Sequence, residues 1–155
     1  MTILLKNMTD SEYVKFIERS IPDYAKDKEQ SDNLTAEEAL DSANKQFKEL
    51  LPHGINTPKH FFFSIIDSES KQSIGDVWLA DRAMKGSLYI FDLFLAKEAR
   101  GKGLGKLVMS ELEVQTKKLG FNALRLHVFG HNTVARRLYE SAGYITTNIH
   151  MLKEF

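Results

Sequence analysis

The stretch Leu93-Phe94-Leu95-Ala96-Lys97-Glu98-Ala99-Arg100-Gly101-Lys102-Gly103-Leu104-Gly105-Lys106 decides the fold. An apolar run that reads as a strand passes through a glycine-rich, basic turn. It continues into Leu104, Leu107, Val108, Leu112 and Leu119, the apolar stripe of a helix that closes at Gly120. Gly101, Gly103 and Gly105 let the backbone come close to a ligand, and the unpaired amides of a helix's first turn favour an anion. Arg100, Lys102 and Lys106 place three positive charges at the same spot. Such charges oppose the helix dipole, and glycine in a first helical turn costs about 1 kcal/mol relative to alanine. A turn built against local preference in both respects suits a pyrophosphate.

Two better-known phosphate motifs are excluded. A P-loop needs a glycine five residues before Gly105 and a Ser or Thr after Lys106, where the chain has Arg100 and Leu107. A dinucleotide fingerprint starting at Gly101 needs a glycine where Lys106 stands, and no acidic residue follows in a ribose-binding context.

Composition narrows the rest. A chain of 155 residues with 43% hydrophobic content fits one domain spanning 1–155 with a substantial core. Lys and Arg together number 21, as do Asp and Glu, so there is no overall positive field of the kind that binds nucleic acid. The absence of cysteine removes disulfides, thiolate metal sites and a cysteine nucleophile. His53, His60, His131 and His150 show no metal-ligand spacing, and no metal is expected. Met1 to Asn7 lacks the apolar core of a signal peptide, and no run of about 18 apolar residues occurs, so a soluble cytoplasmic protein without membrane contact is the expectation.

Working outward, Thr9-Asp10-Ser11-Glu12 is a capping box that opens a helix expected to run to about Ser20 and to end at Pro22. Residues 23–33 are polar and read as a connection or extra helical turn. Thr35 to Glu38 repeats the capping box and opens a helix over 35–51. Phe61 to Ile66 and Ile74 to Leu79 read as an antiparallel hairpin, Leu88 to Leu95 and Leu124 to Phe129 as strands, and Thr133 to Ala142 as a short helix. Tyr144 to Phe155 is predicted to supply one or two last strands. The predicted order is α, α, β, β, β, α, β, α, β.

A second local pattern is Leu124-Arg125-Leu126-His127-Val128-Phe129-Gly130-His131-Asn132-Thr133-Val134-Ala135-Arg136-Arg137-Leu138-Tyr139-Glu140-Ser141-Ala142-Gly143-Tyr144. It lies one helix and one strand after the glycine turn, and the two together resemble the GNAT superfamily of acetyltransferases from about Phe61 to the end. The resemblance implies an α/β fold of the α+β type, three layers with a mixed central sheet flanked by helices and splayed open between strands 88–95 and 124–129. It implies acetyl-CoA in that gap, with Leu93, Phe94 and Leu95 pairing their free backbone groups to the pantetheine arm and donating a hydrogen bond to the acetyl carbonyl. Residues Arg100, Gly101, Lys102, Gly103, Leu104, Gly105 and Lys106 would hold the pyrophosphate, and Asn132, Ala135, Arg136 and Tyr139 would add cofactor contacts.

The resemblance also implies that Tyr139 protonates the leaving thiolate, although helical spacing alone makes it a core aromatic. His127 stands where some members carry a glutamate base, and an imidazole with a free pKa of about 6.5 suits that role. Asp92, a lone carboxylate in an apolar strand, is the rival base or an anchor for the substrate ammonium; its other reading is a buried acceptor for backbone amides. Asn132, just before its helix, is an N-cap as well as a candidate ligand contact. Asp23, Tyr24, His53 and Ile55 to Pro58 are expected to border the acceptor site. The function implied is acetyl transfer to the amine of a small molecule or protein by direct attack. The resemblance also allows a homodimer. The alternatives are an acyl-CoA-binding regulatory module without turnover and a protein-interaction domain.

Overall fold

A computed structural model describes residues 2–155. Five strands form one sheet in sequence order: β1 (Ile3–Asn7), β2 (His60–Asp67), β3 (Ser73–Met84), β4 (Ser87–Leu95) and β5 (Ala123–Leu126). The first four pair antiparallel and β5 joins β4 in parallel, as the α3 crossover between them requires. Four helices flank the sheet: α1 (Asp10–Asp32), α2 (Ala36–Leu50), α3 (Leu104–Lys118) and α4 (Thr133–Ser141). This is the mixed-sheet, three-layer architecture expected.

Strand alternation sorts the layers. Phe63, Ile65, Val77, Leu79, Leu88 and Ile90 face α3 and meet its buried Leu104, Val108, Met109 and Leu112, with Leu138 and Tyr139 of α4 packed against this core. Phe62 and Trp78 face the other way, onto Phe16 of α1 and Phe47 of α2. Trp78 is 2% exposed, yet its indole N–H is satisfied by donating to Nδ1 of His60 at 2.9 Å. Burial holds that imidazole below its usual pKa, consistent with the neutral acceptor form.

Both capping boxes are present, at Thr9 with Glu12 and at Thr35 with Glu38. The first helix departs from expectation: it does not end at Pro22 but runs unbroken to Asp32, where left-handed Asn33 closes it. Proline costs a helix interior roughly 3 kcal/mol, because Pro22 has no N–H and crowds the preceding turn. Tertiary anchoring offsets that cost. Phe16, Ser20 and Ala25 are buried on either side of Pro22, and the turn holding Arg19 and Ser20 is tied to β3 and β4 by hydrogen bonds. Residues 23–33 are therefore helix rather than connection.

Two further differences stand at the ends of the chain. Ile3–Asn7 is an edge strand that the sequence reading did not assign. The strands predicted after Tyr144 are absent, for residues 144–155 carry no regular structure and Ile145, Ile149, Met151 and Leu152 are 84%, 68%, 90% and 74% exposed.

Candidate active site

The site is built where β4 and β5 part. They pair only from Ser87 opposite Ala123 to Ile90 opposite Leu126, so Phe91 to Leu95 have no partner strand on the β5 side. On the other side β4 stays paired with β3, Asp92 opposite Trp78 and Leu95 opposite Gly75. An open strand edge of five residues thus leads directly to the glycine turn. Leu93 and Leu95 pack their side chains on the α3 core, leaving backbone alone at this edge.

Gly101 and Gly103 have φ of 74° and 75°, left-handed values that an L side chain adopts at a cost of about 1–2 kcal/mol. A Cβ at either would meet nothing within 4 Å, so the turn is open to a ligand. Gly103 is the N-cap of α3 and offers no side chain to its first-turn amides. Lys102 and Lys106 are exposed beside it. Arg100 donates from Nε to the Leu95 carbonyl at 2.8 Å and lies 5.5 Å from the Phe94 ring, tying the turn to the end of β4. Gly105 differs: its Cβ would stand 3.0 Å from Leu138, so its lack of a side chain lets α4 dock on α3. Leu104 is buried in the core and can offer a ligand only its backbone. This combination of an unpaired strand edge, an uncapped helix start and an open basic turn fits the acyl-CoA expected there.

Asn132 accepts from the Ala135 amide at 3.2 Å, confirming the N-cap, and Arg136 pairs with Glu140 at 3.5 Å. Tyr139 packs in the α3 layer with its ring 5.6 Å from Tyr144. Its hydroxyl has no hydrogen-bond partner among the described residues. Burial, helped by the nearby negative charge of Asp92, pushes its pKa up to about 12. The phenol therefore stays protonated.

Asp92 faces the α1 layer because of a bulge. The pairing steps from Trp78 opposite Asp92 to Leu79 opposite Ile90, so Phe91 is an extra residue and both Phe91 and Asp92 point toward α1. There Asp92 Oδ2 accepts from Arg19 at 2.9 Å and from the Ser20 hydroxyl at 2.7 Å. Its second oxygen accepts nothing among the described residues. The same Arg19 nitrogen donates to Asp76 at 2.7 Å, another reaches Asp23 at 3.3 Å, and the guanidinium lies 3.9 Å from the Phe94 ring centroid. Burial works against the Arg19 charge, but Asp92 and Asp76 more than compensate and raise its pKa. Asp76 is pushed up to about 6, chiefly by burial and further by Asp92, against the opposing pull of Arg19.

His127 lies just beyond β5, its ring 4.9 Å from Phe129, which in turn meets Tyr24 of α1 at 6.1 Å. Partial burial and the neighbouring His150 hold its imidazolium form down, with Asp32 opposing. Asp23 thus joins the Arg19 cluster and Tyr24 meets Phe129. His53 to Pro58 does not join the Asp92 cluster: Gly54 lies beside Tyr13 at the start of α1, and Ile55 packs on the aromatic layer. Arg19, Ser20 and Asp76 were missed in the sequence. The only local signal for Asp76 is the one that marked Asp92, a single carboxylate inside an apolar strand.

A model of the acetyltransferase (GNAT) family matches residues 22–144. The chain belongs to this family. It is 31% identical to the uncharacterized N-acetyltransferase YdgE and 32% identical to the uncharacterized N-acetyltransferase YycN, both of Bacillus subtilis strain 168, over 99% of this chain and 99% of each relative. The solved structure of YycN superposes with a TM-score of 0.94 over 99% of both chains. At 22% identity, the spermidine N-acetyltransferase of Vibrio cholerae, solved with CoA and spermine, shares the fold with a TM-score of 0.64 over 99% of this chain and 86% of its own. The protein is thus a GNAT acetyltransferase, of a family that takes acetyl-CoA as co-substrate.

Proposed function

We propose that the protein moves the acetyl group of acetyl-CoA directly to a primary amine, with the open edge of β4 as the donor site and the α1 face of the sheet as the acceptor side. The observation carrying this reading is the end of the β4–β5 pairing at Ile90 opposite Leu126, beside a turn open at Gly101 and Gly103. Acetyl-CoA supplies an activated thioester; the amine nitrogen bonds to its carbonyl carbon and the carbon–sulfur bond breaks. Those amides of Leu93 to Leu95 that the ladder with β3 leaves facing the gap are the donors available to the carbonyl oxygen. Lys102, Lys106 and the first-turn amides of α3 hold the pyrophosphate.

Tyr139 and Asp92 belong to opposite layers of the sheet, on the two sides of the gap. Tyr139, protonated at any physiological pH, gives its hydrogen to the departing sulfur. A free thiol has a pKa near 8.5, but the desolvation that raises the phenol also raises a thiolate brought beside it, which narrows the mismatch. The open oxygen of Asp92 attracts the acceptor as its ammonium ion, and neutral His127 takes the proton that must leave before nitrogen attacks.

Calorimetric titration of acetyl-CoA into the protein and into its Gly103→Ala variant, followed by thiol release with a panel of amines, tests the reading. Saturable binding weakened by the substitution, together with amine-dependent thiol release, is the expected result. Binding without release by any amine would leave an acyl-CoA-binding module. No binding by the folded protein would remove the proposal.

A further inference from the structure

The α1 face of β4 continues beyond Asp92 through Phe91 to Tyr89, whose rings meet edge-on at 4.8 Å. Arg82 of β3 lies across both, its guanidinium carbon 4.7 Å from the Tyr89 centroid and 5.3 Å from that of Phe91. It stands where the β3–β4 ladder breaks between Ala80 and Met84, and where left-handed Ala83, at φ 57°, donates its amide to Asp81 at 2.9 Å. On the other flank, Arg125 of β5 pairs opposite Tyr89, so the two side chains share a face, and its Nε donates to the Ser87 hydroxyl at 3.3 Å. Tyr89 and Arg125 line the same cavity as His127 and Phe129. Neither guanidinium has a carboxylate within ion-pair distance among the described residues. Acids are not scarce nearby. Three carboxylates of the α1 stretch that meets Phe129 and His127 are already taken, Asp23 by Arg19, Asp27 by His131 and Asp32 by Lys28.

We propose that the acceptor is a primary amine whose far end is an oxyanion, a carboxylate or a phosphate, seated between Arg82 and Arg125 beside Tyr89. The inference rests on the acetyl-transfer reading above, in which Asp92 draws the amine. An arginine laid on aromatic rings has given up rotamer freedom in advance and keeps its N–H edge for another partner, and two such forks beside one ring suit an oxyanion. Burial raises the Tyr89 pKa against the pull of Arg82, so the phenol stays a protonated donor next to them. Tyr89 and Asp92 are three residues apart on β4, so at most roughly 10 Å of strand separates the two ends of the site. A carboxylate at one end and two guanidinium groups at the other admit such an acceptor in one orientation, with its amine toward the donor site.

Thiol release from acetyl-CoA with ω-aminohexanoate, ω-aminopentyl phosphate and the neutral ω-aminohexanamide tests this. At least one anion is expected to exceed the amide about 10-fold in kcat/KM, through KM, and whichever anion leads tells a carboxylate acceptor from a phosphate one. In Arg82→Gln and in Arg125→Gln that preference is expected to fall about 10-fold. It is a ratio taken within each variant, so a partly unfolded sample does not alter it. An amide used as well as both anions, or a preference that survives both substitutions, would overturn the inference. Calorimetric titration with the product ω-acetamidohexanoate and with its amide reads the same site without turnover. Anion binding that exceeds that of the amide and is lost in Arg82→Gln, with no thiol released by any amine, would keep the anion site and remove acetyl transfer alone. Thiol release with other amines, and no preference for an anion in either assay, would keep acetyl transfer and overturn the anion site.

Discussion

Replacing Arg19 by Met keeps the aliphatic stem and removes the cation that Asp76, Asp92 and Asp23 share. Two charge-assisted hydrogen bonds, at 2.7 and 2.9 Å, are lost along with the stacking on Phe94. Each such bond is worth roughly 1.5–3 kcal/mol, and the cluster retains about a fifth of its surface, so a loss of about 3 kcal/mol is expected at pH 8. The loss must depend on pH. Asp76 already stands at about 6 against 3.8 unfolded, so the cost of ionising it grows as pH rises between those values and is fully present above them. Arg19 restrains that rise, and without it the folded pKa moves higher. If the further rise is one unit, the variant loses about 1.4 kcal/mol more at pH 8 than at pH 4.5, where Asp76 is largely protonated when folded. Urea unfolding of both proteins at the two pH values measures the difference. Adding Asp76→Asn to the variant is expected to recover more stability at pH 8 than at pH 4.5. A cost of Arg19→Met that is equal at both pH values would refute the charge-sharing account and reduce Arg19 to packing.

Three further outcomes follow from the site. Tyr139→Phe is expected to lower kcat about 100-fold or more while acetyl-CoA affinity stays within about 2-fold, and an unchanged kcat in steady-state assays would end its role as acid. His127, held below its usual 6.5, loses the ability to accept a proton as pH falls through its pKa. His127→Ala should therefore flatten the acid limb of the kcat/KM profile, whereas Asp76→Asn should leave it; the reverse pattern would move the base role to the Asp76–Asp92 pair. Gly103→Ala, at a left-handed position open to ligand, is expected to weaken acetyl-CoA binding about 10-fold, as 1–2 kcal/mol of strain implies. Gly105→Ala meets only the flexible tip of Leu138, so helix propensity and crowding nearly cancel; calorimetry is expected to find affinity within about 2-fold.

The proposed donor half of the site is legible in the sequence because it is made of contiguous backbone. A strand, a turn whose glycines need left-handed angles, and a helix start all lie within Leu93 to Lys106, and composition reveals each locally. Thr9 and Thr35 were legible for the same reason, since a capping box spans four residues. Ile3–Asn7 was not, because an edge strand five residues long buries only Ile3 and gives too little alternation to read. Pro22 misled because its cost is local and its compensation is not: Phe16, Ser20 and Ala25 are held by elements far along the chain.

The proposed acceptor half is illegible for a deeper reason. Arg19, Asp76 and Asp92 come from α1, β3 and β4, and their meeting depends on register. Asp76 and Trp78 share a face of β3, and Trp78 lies opposite Asp92. With regular alternation from Ile90, which faces α3, Asp92 would also face α3 and its apolar core. The extra residue Phe91 rotates it to the α1 face, where Arg19 and Ser20 receive it. One bulged residue therefore decides whether this strand carries a buried, unpaired charge or an oriented carboxylate, and that choice is made by pairing with β3, which no local pattern in β4 encodes.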